Sequence, residues 1–144
     1  MNRIILMLVS FLFISGCGPK YQLVNNPHVS PDTAVTLLIY RPDGFFHKHN
    51  PEEPFVYLNG EKIGTLGVGE TIETQVSLGK NTISMRGNIL SIPSSKIGTI
   101  ELDVKDNNDH YVRYSYDFEY IAGTTAVGDS ALQQVSENIG EARQ

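Results

Sequence analysis

The 144-residue chain has a single cysteine. One thiol closes no intramolecular disulfide, so the fold must be held by packing alone even in an oxidising compartment. Long apolar runs are missing as well. The uncharged stretch over residues 4–14 is about eleven residues long, whereas a membrane-spanning helix needs roughly 20. Cations are scarce: 11 Lys and Arg stand against 16 Asp and Glu, for a net charge of −5. No basic patch is visible, which argues against nucleic acid as a partner. No Gly-x-Ser-x-Gly occurs, so the strained serine turn of many hydrolases is absent. Gly67-Val68-Gly69 lacks the remainder of a phosphate-binding loop and reads as a turn. There is no internal repeat and no low-complexity segment.

What is present first is a leader. Met1-Asn2-Arg3 is a short cationic start, and the apolar run that follows has the length of a signal-peptide core. It ends in Ile14-Ser15-Gly16-Cys17, which resembles the bacterial lipobox. That resemblance implies removal of residues 1–16 as a lipoprotein signal peptide, a diacylglyceryl group on Cys17 and acylation of the new amino terminus. One acyl chain alone binds a bilayer only marginally, whereas two or three anchor stably. Gly18 follows Cys17 where Asp retains lipoproteins at the inner membrane, so the resemblance implies the outer membrane. An acylated Cys17 leaves no free thiol to act as a nucleophile.

Residues 17–32 contain Pro19, Pro27 and Pro31. Proline lacks an amide donor and keeps its predecessor out of the helical region. The segment therefore reads as a lipidated cysteine and an extended tether, reaching on the order of 50 Å at about 3.3 Å per residue. A short strand over residues 21–24 is the competing reading. Residues 33–144 then form one domain of ordinary size.

Within it, residues 34–40 (AVTLLIY) are apolar on both alternating faces, as in a central strand covered on both sides. Asn59-Gly60 between two apolar runs predicts a hairpin with Leu58 opposite Glu61 and Val56 opposite Ile63. Ile72, Thr74, Val76 and Leu78 share one face of the next strand. Ile83 and Met85 point inward after it, and residues 87–96 read as a loop that tucks Ile89, Leu90 or Ile92 over a sheet edge. Ile100, Leu102 and Val104 alternate with polar residues, and residues 110–121 form the longest strand, with one packed and one wet face. Leu132, Val135 and Ile139 share a helical face behind Ser130-x-x-Gln133, which predicts a short C-terminal helix. A last strand over 132–135 is the alternative. The expected fold is mainly β: an antiparallel β-sandwich of about seven strands with that short helix.

Few residues suggest chemistry. His47 and His49, with Glu52 and Glu53 nearby, are zinc-type ligands, but Lys48 sits between the imidazoles and no rigid element supports them. Asp103, Asp106 and Asp109 lack calcium-loop spacing and its glycine. Neither a metal nor another cofactor is expected. Tyr57, Tyr111, Phe45 and Phe46 are candidates for stacking on a sugar or peptide.

The strand patterns carry a second resemblance. Leu38-Ile39-Tyr40-Arg41-Pro42, Val56-Tyr57-Leu58-Asn59-Gly60, Ile63-Gly64 and Tyr111-Val112-Arg113 resemble a family of small bacterial lipoproteins carrying a domain of unknown function. The Tyr-Leu-Asn-Gly hairpin is similar to that of PEGA-type β domains. Neither resemblance supplies a catalytic residue. The reading that emerges is a non-catalytic module of the bacterial cell envelope, lipid-anchored at Cys17 and facing the periplasm. It would contact an envelope protein or the cell wall through Phe45, Phe46 and Ile89. The alternative is a lipoprotein that captures a glycan, peptide or metal.

Overall fold

The computed structural model describes residues 20–44, 52–119 and 127–135. Among them nine strands form two sheets. They are β1 (Tyr21–Val24), β2 (Val35–Tyr40), β3 (Phe55–Leu58), β4 (Glu61–Thr65), β5 (Thr71–Val76), β6 (Gly79–Ile89), β7 (Ile92–Val104), β8 (His110–Glu119) and β9 (Val127–Val135). The first sheet runs β1-β5-β2-β8-β9 and the second β4-β3-β6-β7. The protein is therefore mainly β, with its two sheets facing one another across a shared core.

That core is built from the period-2 pattern. Val35, Leu37 and Ile39 of β2, Ile72 and Val76 of β5, and Val112 and Tyr114 of β8 face inward from the first sheet. Val56, Leu58, Ile83, Met85, Leu102 and Val104 meet them from the second. β2 is central and covered on both sides, as its unbroken apolar run predicts. On its outer side Leu38, Tyr40 and Tyr111 form a second buried cluster, with Val135 against it. The wet outer face that alternation predicts for β8 is thus covered at the start of the strand, where Ser115 is buried too. Asn81 and Thr74 are polar residues buried on the inner face, and Asn81 is bonded. Its amide donates to Ser77 O and Gly79 O, and its Oδ1 accepts from Asn59, so burial leaves it bonded.

The structure departs from the sequence reading in several places. Nine strands stand among the described residues where about seven were expected, and β5 ends at Val76, so Leu78 is 50% exposed instead of sharing its buried face. Tyr21–Val24 is not free tether but a strand, paired in parallel with the first residues of β5. The first sheet is consequently mixed, since β2 and β8 are parallel as well. In the β3–β4 hairpin Leu58 does face Glu61, but Val56 faces Gly64, because a bulge makes Ile63 the extra residue. Residues 87–96 are not a loop over an edge: they are the outer half of a long β6–β7 hairpin, and β7 with 13 residues exceeds β8 with 10. Finally, the residues expected to begin a C-terminal helix form β9, antiparallel to β8 through Val135. Burial decides that last case: Leu132 packs on the core and Val135 on the outer cluster, three residues apart on opposite faces, as a strand requires. Residues 136–144, including Ile139, lie outside the described residues.

Candidate functional site

One end of the two-sheet stack gathers the unusual features. There β2 runs on into Arg41, whose N–H donates to Glu70 O at 3.0 Å while its carbonyl accepts from Gly69 N at 3.0 Å. The turn 66–70 is thereby bound to the end of β2, and Leu66 N donates to Pro54 O at 3.0 Å, tying the same turn to the start of β3. Thr71 N donates to Lys20 O at 3.1 Å, so the chain joins the sheet at this end.

The side chains reinforce these backbone ties. Arg41 is fully buried, with its guanidinium 5.3 Å from the centroid of the Tyr114 ring and Nη1 donating to Glu52 O. Burial pulls its pKa below the ordinary arginine value, opposed by Tyr114 and by the carboxylates of Glu52, Glu53 and Glu70. Glu70 is buried beside it, and its carboxylate has work on every side. Oε2 accepts from Gly67 N at 2.8 Å and from Gln22 Nε2 at 3.2 Å, and Oε1 pairs with Lys20 Nζ at 3.3 Å. Gln22 also donates to Thr65 O at 3.0 Å. Gly67 makes this possible: a Cβ there would lie 2.9 Å from Glu70 Cδ. Chemically the arrangement is a lock, joining β1, β2, β4 and β5. Pattern reading overlooked Arg41 and Glu70 because a charged residue at a strand end resembles ordinary turn chemistry.

The long hairpin stands beside this lock. Glu52 Oε1 accepts from Asn88 N at 3.1 Å, and a Cβ on Gly87 would sit 2.6 Å from that same oxygen. Beyond this tie β6 and β7 continue to Ile89 opposite Ile92, joined by Leu90 and Ser91. Both turn residues have positive φ, 50° and 67°, the geometry that Asn59 and Gly60 adopt at 51° and 88° in the β3–β4 turn. Asn and Gly tolerate that region, whereas a bulky aliphatic residue there is strained. Asn88 Oδ1 caps the turn by accepting from Ser91 N at 3.0 Å. Ile89 is 61% exposed, Leu90 92% and Ile92 66%, so three aliphatic side chains stand together in solvent at a hairpin tip.

Of the candidate contact residues, Ile89 is on this tip, while Phe45 and Phe46 lie outside the described residues, as do Cys17, His47 and His49. Tyr111 is buried in the outer cluster and offers no stacking platform. Tyr57 is half-buried with the Arg86 guanidinium 5.8 Å from its centroid. Among the described residues no three His, Cys, Asp or Glu side chains converge on a point. Asp103 pairs with Lys105, and Asp106 faces His110 at 3.5 Å. A shallow cleft between Val24–Pro27 and Leu58–Ile63 holds about 50 Å³, well below the several hundred Å³ of small-molecule pockets. No helix among the described residues is long and apolar enough to cross a membrane.

Comparison with known proteins finds no matching family, no matching characterised protein and no matching solved structure.

Proposed function

We propose that the chain is a lipid-anchored contact module of the bacterial envelope, acylated at Cys17 and sorted to the outer membrane with its β domain facing the periplasm. The lipobox-like Ile14-Ser15-Gly16-Cys17 supports the anchor, and Gly18 in place of Asp supports the sorting. The likeness to small lipoproteins with PEGA-like hairpins agrees with it and rests on the quoted strand motifs alone.

The observation that carries the contact role is the exposure of Ile89, Leu90 and Ile92 beside a polar cluster whose Glu70 carboxylate holds the fold together. Apolar groups grouped in solvent mark a surface that meets something. The outer side of β1 adds Tyr21 and Leu23, 56% and 75% exposed, on an edge strand whose far side is open to an envelope partner. In this reading the module works by contact and performs no turnover.

The experiment is Cys17→Ser in the native cells, with and without an inhibitor of the lipoprotein signal peptidase. The expected result is a precursor that is neither acylated nor processed in the variant, and a trapped precursor of the unaltered chain under inhibition. A Cys17→Ser protein that is still cleaved and still membrane-bound at high salt overturns the anchor.

A further inference from the structure

We infer that the β6–β7 hairpin tip is a bilayer-inserting wedge, with Ile89, Leu90 and Ile92 reaching the acyl region and Arg86 and Lys96 resting among the phosphates. The inference rests on the anchored reading of Cys17 and names the partner of the tip.

Placement is the first argument. Lys20 binds Thr71 at the start of β5; the turn preceding Thr71 binds Pro54; Glu52 binds Asn88 at the base of the outer hairpin. These bonds put the chain's point of arrival and the hairpin tip at the same end of the sheets. The Asn59–Gly60 turn and Leu78 belong to the other end, where Asn59 N bonds Thr82 O and Asn81 bonds Ser77 O. Cys17 precedes Lys20 by three residues, which span at most about 11 Å. With β1 docked, the long tether that proline content suggests does not exist. Acyl chains on Cys17 hold this end, and not the other, against the membrane.

The tip's own chemistry is the second argument. The hairpin overshoots β3: Phe55 pairs with Arg86, and β6 runs three residues further to Ile89, about 10 Å at strand rise, before the turn at Leu90. Residues 86–96 contain Arg86 and Lys96 and no acid, in a chain of net charge −5; the carboxylate that reaches their level, Glu52, comes from outside the hairpin and is bonded to Asn88 N. Those two cations are register partners, directly across the hairpin from one another. An aliphatic end below a cationic collar matches the order of acyl chain and phosphate in a bilayer, where interfacial elements bury their apolar side about 5–10 Å deep. A protein partner would gain little from a collar that holds the cations back from the tip. The tip need not bind strongly, because the anchor supplies a high local concentration of bilayer.

The chain contains no tryptophan, so a single introduced one reports alone. Full chains carrying Ile92→Trp or Leu78→Trp are isolated from membranes and reconstituted into phosphatidylethanolamine–phosphatidylglycerol vesicles whose acyl chains are brominated. The expected result is loss of most Ile92→Trp emission to bromine and protection from aqueous iodide, with Leu78→Trp quenched by iodide only. Adding Leu90→Asn and Ser91→Gly, which suit the turn, should restore much of the Ile92→Trp emission. An Ile92→Trp open to iodide overturns the wedge. So does one shielded from iodide but insensitive to bromine, which means the tip is covered by a second copy, and so does equal bromine quenching at both positions. Mass of the amino-terminal peptide reads acylation separately. A quenched tip on an unacylated chain keeps the wedge and removes the anchor; an acylated chain with an unquenched tip does the reverse.

Discussion

Thr74 shows how a single atom departs from the pattern around it. It sits on the inner face of β5 between Ile72 and Val76, is 1% exposed, and its Oγ1 has no hydrogen-bond partner. A buried hydroxyl without a partner carries its desolvation cost unrelieved, so Thr74→Val should stabilise the domain by about 1 kcal/mol. Equilibrium urea unfolding measures it, and a destabilised variant would show that the hydroxyl is bonded after all. Leu37 lies opposite Thr74 on β2 and is fully buried; Leu37→Ala should cost about 2–5 kcal/mol through lost transfer energy and a cavity. Leu23, in solvent on the edge strand, should change stability by no more than about 0.5 kcal/mol on replacement by Ala. Leu90 is the opposite kind of anomaly, a strained backbone bearing an exposed side chain. Converting Leu90-Ser91 to Asn-Gly should relieve about 1–2 kcal/mol of left-handed strain. A contact role for the tip therefore requires stability to rise while membrane contact falls, a pairing that a purely structural turn does not produce.

At the level of elements, the Glu70 carboxylate decides whether β1 stays on the sheet. It bonds Gly67 in the turn and reaches both Gln22 and Lys20 of the arriving chain. Glu70→Leu leaves the Gly67 amide without an acceptor and Gln22 Nε2 with only Thr65 O, and should cost about 3 kcal/mol. Hydrogen exchange should show the loss concentrated in β1 and the turn 66–70, while β6 and β7 remain protected. A uniform loss would mean that the lock is merely one more part of the core. This element also marks where sequence reading ends. Strand β2 was legible from its unbroken apolar run, β5 and the inner part of β6 because apolar alternation records which face is buried, and the Asn59–Gly60 turn because those residues announce their geometry. β1 was hidden among prolines: its four residues are held by pairing with β5 and by Glu70, partners some 50 positions away. The outer β6–β7 hairpin was hidden because Leu-Ser is no turn signal and its side chains stay in solvent, so no buried face disciplines its pattern. Leu132 and Val135, three apart, would share a helical face; β8 alongside, with a buried cluster on each side of the sheet, puts them on opposite faces of a strand. Ile89 stood out in the sequence only as an apolar residue in a segment read as a loop tucked over a sheet edge; its exposure at a hairpin tip, at the same end as Lys20, depends on the topology of both sheets.

For the whole molecule, the docked β1 turns a linker question into an orientation question. A tether spanning residues 17–32 would let the domain wander some tens of ångströms from the bilayer and present any face to it. With only Gly18 and Pro19 between Cys17 and Lys20, an anchor on Cys17 would hold one end of the sheets at the membrane, and Arg86, Lys96 and the aliphatic tip are on that end. The consequence can be tested by length alone. Inserting about 16 Gly/Ser residues between Gly18 and Pro19 adds a flexible segment with a root-mean-square span of about 22 Å. Nothing in the lock or core is touched, so unfolding stability should be unchanged, and the lipobox-like residues precede the insertion, so acylation should persist. Effective concentration at the bilayer falls roughly as the −3/2 power of linker length once a linker exceeds the gap it must bridge. Bromine quenching of Ile92→Trp should therefore drop in the extended chain while membrane retention stays complete. Retained quenching would mean that the tip holds the bilayer by its own affinity, and that the shortness of the segment before β1 serves some other purpose than orientation.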